Sequence, residues 1–349
     1  MDDKTACINL QFLMKFIDGS LGIDRTTNNL SGFDFIVPLL ESSAYNSYLE
    51  NVSNKSDTIY LRIKDSLISM MGYNYLNYIK GISNKFKLNE KKVIIAFDYT
   101  AEDFFGDVQG FDIHGWTGKE GVTGKFKFLT CSIISDDIPQ RIPLISVPIM
   151  IGHYKSHVIN YCLSLIKPLI GEIQLILFDR GFYDKDLMFE LEKLKQPYLI
   201  FVPKHDDKKS ILYPMDKGQQ IAIYNEFEVN KNQSKYAGEN ILIFLKQIYD
   251  PKSEKNYDWV FATNVEWILL ENIVVTYKKR WRIETQFRVQ DEARIKCKSK
   301  EMKMRYFFFL FEQMLQVQWM CFHKNDLPFK EFIIQMAKMS RKWTKTDKE

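Results

Sequence analysis

The sequence predicts an α/β fold, a mixed sheet flanked by helices, with a helical lobe over residues 1–90 and a mostly β insertion over 204–263. Three observations carry this. From Lys91 onward, short runs of branched apolar residues alternate with helical patterns, as in strands buried on both faces. Two such runs, 93–97 and 174–178, each lead into an aspartate, Asp98 and Asp179. The segment before Lys91 has helical rather than strand periodicity.

Taken in order, the lobe opens with an apolar-rich helix over 8–16, passes a Gly/Asn/Thr-rich stretch at 19–32, and continues with a longer helix over about 57–79. The first strand, 93–97, is followed by the glycine-dense segment 106–124, a turning loop before strands 126–134 and 142–149. Ser156 is a candidate N-cap for a helix to about 169. Strand 174–178, a helix over 184–195 and strand 198–202 continue the alternation. Within the insertion, strand-like runs stand at 220–224, 241–245 and 259–262. A long helical pattern starts near Glu266 and runs through Thr285 or beyond, followed by helices over about 300–323 and 329–339. The domain organisation expected is therefore a lobe at 1–90, a core built from 91–203 and 264–325, the insertion between its two parts, and a basic tail at 326–349.

Composition excludes several classes. With 349 residues, 46% of them apolar and 26% charged, the chain can bury a core and is not of disordered composition. Five cysteines without a C-x-x-C pair indicate neither a disulfide framework nor a zinc knuckle, which suits a reducing compartment. The opening Met-Asp-Asp-Lys lacks the basic and apolar regions of a secretory signal, so export is not expected and a cytoplasmic protein is. The longest apolar stretch, 306–322, is interrupted by Glu312, Gln313, Gln316 and Gln318, which points to a buried helix rather than a membrane span. Net charge is −1 over 1–90, −3 over 91–270 and +8 over 271–349. A polyanion would be met mainly by the last quarter, although solvated helix faces account for such a charge equally well.

Strand ends of a largely parallel sheet are where ligands gather, so Asp98 and Asp179 are candidate site residues. Either one alone is as readily the cap of the following turn. A third carboxylate, Glu284, follows in the string YKKRWRIETQFR that starts at Tyr277. At roughly 100° per residue, Tyr277, Arg280 and Glu284 fall on one helical face. That stripe is also readable as an i, i+4 ion pair between Arg280 and Glu284, with Trp281 and Phe287 as core contacts.

The order Asp98, Asp179-Arg180, Glu284, with a β-rich insertion before the glutamate, resembles insertion-sequence transposases of the DDE superfamily. The strings FDRGFYD and YKKRWRIETQFR are similar to the second and third catalytic motifs of the branch with a Tyr-Arg-Glu-Lys signature. The resemblance spans about 91–311 and implies a ribonuclease H-like catalytic core in which Asp98, Asp179 and Glu284 hold two Mg²⁺ ions, with Mn²⁺ as a substitute. Carboxylates suit such hard cations. The implied reaction is metal-dependent cleavage and strand transfer at the ends of the chain's own mobile element, by in-line displacement at a phosphodiester. Arg180 and Arg280 would contact DNA phosphates, Tyr277 would add a hydrogen bond, and Trp259 or Trp267 would stack on a flipped base unless it is ordinary core. The signature's final lysine falls on Asp291, a departure that Arg288, Arg294 or Lys296 could make good.

The partners implied are double-stranded DNA, comprising terminal inverted repeats and target, and a second copy of the chain in a synaptic complex, with no membrane. Two other readings use the same residues: a metal-dependent DNA endonuclease that does not join ends, and a descendant that binds DNA without chemistry. Residues 1–90 carry no helix-turn-helix or zinc-finger signature. His153 and His157 lack the glutamate of a zinc motif, and the segment around Gly115 to Lys119 lacks the first glycine of a phosphate-binding loop.

Overall fold

The computed structural model describes residues 3–23, 32–116, 118–138, 141–202, 221–228, 239–250, 254–265 and 270–346. At its centre is β1 (Val93–Phe104), whose first half is buried on both sides. It pairs antiparallel with β3 (Gly124–Ile133) and, from Val93 to Phe97, parallel with β5 (Ile173–Phe178). Beyond β3 lie the two-residue β2 (His114–Gly115) and β4 (Pro143–Ile149). Beyond β5 the sheet continues through β6 (Tyr198–Phe201), β9 (Lys255–Thr263), β8 (Glu239–Asp250) and β7 (Ile221–Glu228). The described strands of 204–263 thus extend the same sheet, since β9 pairs antiparallel with β6.

Alternation along the strands sorts side chains to two faces. Val93, Ile95 and Phe97, with Ile176 and Phe178, join the larger core, to which α5 (Lys155–Ile166) and α6 (Lys185–Lys193) contribute Ile159, Leu163, Leu187 and Leu191. Ala96 and Leu177 join a smaller core with Leu199, Phe261 and Trp259, covered by Ile273 and Tyr277 of α7 (Leu270–Lys278) and Ile283 of α8 (Trp281–Gln290).

The N-terminal lobe is helical as expected, built from α1 (Asp3–Leu21), α2 (Gly32–Tyr45), α3 (Ser56–Asp65) and α4 (Ile68–Phe86). The single helix predicted over 57–79 is two, broken at Ser66 and Leu67, where extended backbone at Ser66 ends the first. Most of α2 was not anticipated, because Pro38 and a run of serines obscure its periodicity. Ser156 is not a cap: α5 starts one residue earlier, after Tyr154. Asp184 caps α6, its side chain accepting from Leu187 N at 3.1 Å.

The helix predicted from 266 is broken too, into α7 and α8 with Lys279 and Arg280 between them. It is followed by α9 (Met302–Phe322) and by α10 (Phe329–Thr346), which is longer than predicted and packs Trp343 edge-on against Phe33, 5.4 Å between ring centroids. The glutamine-rich helix α9 is buried nearly all round. Each of its buried glutamines makes one hydrogen bond through one end of its amide: Gln316 donates to Gln286 O, Gln318 donates to Asn9 O, and Gln313 accepts from Ser146. No described helix is long and apolar enough to cross a membrane. Phe307, Phe308, Phe309 and Phe311 serve as core residues, with Phe309 stacked on Phe128 of β3 at 4.5 Å.

Phe178 is fully buried, stacked on Phe97 at 5.6 Å and packed against Phe182 at 5.3 Å. Phe178→Ala is expected to lower unfolding free energy by about 3–5 kcal/mol. Urea titration checks this, and a loss below about 1 kcal/mol would show that these rings do not clamp the two central strands together.

Candidate functional site

The register of β1 and β5 ends on the pair Phe97 and Phe178, so the next residues of adjacent parallel strands are Asp98 and Asp179. Asp98 does not sit at the strand's end. β1 runs on to Phe104 against β3 alone, and Asp98 is the first residue past the parallel pairing. Its backbone partner on β3 is Thr130, which hydrogen-bonds Ser146 of β4 at 2.7 Å. Asp179 does act as a cap: one of its carboxylate oxygens accepts from Gly181 N at 2.8 Å and turns the chain into a 3-10 turn at Arg180–Phe182.

Glu284 reaches this end of the sheet from α8, linked through Arg280. One guanidinium nitrogen of Arg280 donates to Asp98 at 3.0 Å and another donates to Glu284. Arg280 is only 6% exposed and Asp98 8%. The break between α7 and α8 makes this possible. Lys279 pairs with Asp136 at 2.5 Å, and Arg282 bonds both Asp136 and the carbonyl of Ile134, so the start of α8 is fastened to the β3–β4 turn while Arg280 is directed inward. These two contacts hold the Asp136 carboxyl below its ordinary value, the hydrogen bond from Lys279 most of all.

Burial drives the Asp98 carboxyl up to about 7. Arg280 counteracts this, while the charges of Asp179 and Glu284 push it further in the same direction. Asp98 thus feels both of the other carboxylates, and a cation, the Arg280 guanidinium, is bonded to Asp98 and Glu284. Among the described residues, no group of three acidic, histidine or cysteine side chains is placed to hold one metal ion.

Tyr277 is buried under Arg280, whose guanidinium lies 5.8 Å from its ring centroid, and burial raises its hydroxyl to about 12. Trp259, also buried, packs on Phe201, Phe261 and Tyr277. It is core, yet it also borders a cavity of about 730 Å³ lined by Asp179, Arg180, Phe201, Tyr257, Asp258, Trp259, Tyr277, Arg280, Trp281 and Glu284. Of the residues singled out in the sequence, the structure brings Asp98, Asp179, Arg180, Trp259, Tyr277, Arg280 and Glu284 to this one region. Arg288, exposed one turn beyond Glu284, does not line the cavity, and Trp267 lies outside the described residues.

Trp281 is no core contact: at 43% exposure it forms part of the cavity wall. Tyr257, Asp258 and Phe201 were missed. The period-two pattern Tyr257, Trp259, Phe261 on β9 was the available signal for Tyr257. A larger, mostly apolar cavity of about 920 Å³ lies apart from the carboxylates between α4, β4 and α5, and His153 and His157 line it without forming a metal site.

The class is that of a mixed α/β sheet with two aspartates side by side where the pairing of its central parallel strands stops, and an arginine bonded to one of them. Residues 149–311 match the family described as Transposase DDE domain. The match includes Asp179 and Glu284 and begins after Asp98. The cryo-EM structure of a piggyBac transposase synaptic complex with hairpin DNA has the same fold at a TM-score of 0.60, covering 97% of this chain and 81% of that one at 10% identity. No curated protein matches. The family match takes in a little under half of the chain, and the structural likeness extends over the whole fold.

The pH response of Asp98 has a definite sign. A carboxyl whose folded pKa of about 7 stands above its ordinary 3.8 favours the folded state below about pH 4, and that contribution is lost as pH rises through about 7. Unfolding free energy measured in urea is expected to fall over that window in the native protein relative to Asp98→Asn. Parallel profiles for the two proteins would refute the burial argument.

Proposed function

We propose that this chain is a DNA transposase that cleaves DNA at the ends of its own insertion sequence and joins the freed ends to a target by metal-dependent in-line displacement. The observation that carries this reading is the placement of Asp98 and Asp179 side by side on parallel strands, with Glu284 tied to Asp98 through Arg280. The order of these residues in the chain and the matched family support it.

The donor chemistry suits a hard divalent cation. Asp179 and Glu284 add to the cost of ionising Asp98, and Asp98 and Glu284 already bond a cationic group. Asp98, Asp179 and Glu284 would hold Mg²⁺, two ions in all, or Mn²⁺ in their place. When bound, these ions would supply charge stabilisation and an activated nucleophile for phosphodiester displacement.

The remaining roles belong to the chain's own groups. Arg180, exposed beside Asp179, presents a planar fork that suits a phosphate oxygen pair. Arg280, once freed from Asp98 or Glu284, is positioned for the same purpose, with the Tyr277 hydroxyl as a further donor. Arg288 would meet DNA farther along α8. The aromatic wall of Trp259, Tyr257 and Trp281 keeps one side of the cavity apolar and offers a surface on which an unstacked base can lie. The DNA partners are the terminal inverted repeats and the target duplex. Bringing two ends together calls for two copies of the chain, and the ribonuclease H-like description of the core belongs to this proposal.

The test is cleavage and strand transfer in Mg²⁺ on DNA carrying the flanking element ends. Native protein is expected to cut and join, and Glu284→Gln to lose both by at least about a hundredfold, as for removal of a group acting only in the transition state. Cutting without joining would make the chain an endonuclease, and binding without any metal-dependent cutting would make it a DNA-binding descendant. Trp259→Ala is expected to reduce cleavage about 5- to 100-fold, in line with the roughly 1–3 kcal/mol of one base–aromatic stack, with little change in duplex affinity. Equal cleavage by Trp259→Ala would remove base stacking from the proposal.

A further inference from the structure

Between α8 and α9 the chain from Arg294 to Glu301 forms neither helix nor strand, and its backbone is extended at both ends. Its backbone is nonetheless held along its length. Asn46 donates to the carbonyls of Glu292 and Arg294 at 3.1 Å each, Ile295 N donates to buried Glu312 at 2.7 Å, and Lys296 N donates to Ser47 O at 3.0 Å. Arg305 donates to the carbonyls of Cys297 and Ser299 at 3.1 Å each, and is itself fixed by an ion pair to Glu102 at 2.8 Å with little exposure on either side.

Where backbone is extended, alternate residues fall on opposite sides. Ile295 is buried and Cys297 and Ser299 half-buried, whereas Lys296, Lys298 and Lys300 are exposed. Lys296 and Lys298 both lie over the ring of Tyr48, at 5.9 and 4.4 Å, and the stem of Lys300 lies near Gly106 of the glycine-rich loop. No ion pair to any of the three lysines is found among the described residues. The nearby acids are engaged elsewhere: Asp291 faces Arg294 at 3.9 Å, Glu301 faces Lys64 at 3.6 Å, and Glu50 accepts from Tyr60.

We propose that residues 294–301 form a preorganised rail for the phosphate backbone of duplex DNA, with Lys296, Lys298 and Lys300 as the contacting cations. The inference rests on the DNA reading above and adds a surface to it. Lysines two residues apart on extended chain step about 6.6 Å. Each lysine carries its charge on a flexible stem and meets a phosphate as a point charge, so a row at this step can engage a backbone that winds past it. Because the backbone is already fixed, binding orders only the lysine side chains. The rail begins ten residues past Glu284, joined to α8 by the single 3-10 turn at Asp291–Ala293.

The experiment is binding of an arbitrary-sequence duplex by the full chain in EDTA, where no cutting takes place, followed by fluorescence anisotropy from about 50 to 200 mM salt. Replacing Lys296, Lys298 and Lys300 together by Gln is expected to flatten the slope of log K against log salt by about 2.7, corresponding to three lost phosphate contacts. The same positions changed to Arg should keep the slope. A matched triple change of exposed Lys80, Lys324 and Lys338 to Gln should leave it nearly unaltered. Equal flattening by both Gln variants, or none by the rail variant, overturns the rail, as does a native chain that does not bind duplex. The rail fails alone when native protein cuts DNA and the rail variant binds as it does. The carboxylate reading fails alone when Glu284→Gln cuts like native protein while the rail slope behaves as stated.

Discussion

The parallel pairing of β1 with β5 is the constraint on which the rest of the site depends. It stops at Phe97 and Phe178, whose stacked rings lock the two strands in register from the opposite face. Two aspartates are thereby set at one level on neighbouring strands. Asp98 has no choice of environment, since β3 continues beside it and its side chain is enclosed. A buried carboxylate without a partner costs several kcal/mol, and Arg280 is the partner that the fold supplies. Everything about the junction between α7 and α8 serves that contact: the helix breaks, Lys279 and Arg282 grip Asp136, and the intervening arginine turns inward.

A second dependence runs through α9. A helix this buried would ordinarily be apolar on all sides, yet it carries Glu312 and three glutamines at positions enclosed by protein. Each reaches a different part of the chain: Glu312 the start of the segment after α8, Gln313 the β3–β4 pair, Gln316 the backbone of α8, and Gln318 the backbone of α1. These contacts leave little freedom of rotation or sliding, because a shift by one residue would strand several buried polar groups at once. The helix that carries Glu284 and the sheet that carries the aspartates are thus fixed to a common post.

The strands of the core were readable because burial on both faces leaves short, branched, uninterrupted runs, and the aspartates were conspicuous as the polar residues that end them. The face shared by Tyr277, Arg280 and Glu284 was readable from spacing. The break at Lys279 and Arg280 was not, because local preference there favours helix and only the distant Asp136 and Asp98 decide otherwise. The same holds for Trp281. Its position in a helix packed on a sheet suggests core, but the rotation of α8 that brings Arg280 inward carries the indole to the cavity wall. In α2 the signal was masked by Pro38 and by serines, of which Ser43 is buried and bonds Ala293 O at 2.6 Å, 250 residues away. No local pattern can announce a contact of that kind.

Charge shows the difference between a count and a placement. The excess of +8 over 271–349 suggests a broad polyanion surface, but many of its cations are already bonded to protein. Arg280 neutralises Asp98, Lys279 and Arg282 hold Asp136, Arg305 pairs with Glu102, Lys330 bonds the carbonyls of Ser43 and Glu292, and Arg341 bonds Glu41. A cation already bonded to protein has little left to offer a phosphate, and removing it damages the fold before it weakens binding. Exposed cations outside these contacts include Arg288 on α8 and the three lysines of the segment that follows it. The backbone under those lysines is held by Asn46, Glu312, Ser47 and Arg305, so a diffuse excess of charge is gathered into a short row with a fixed base.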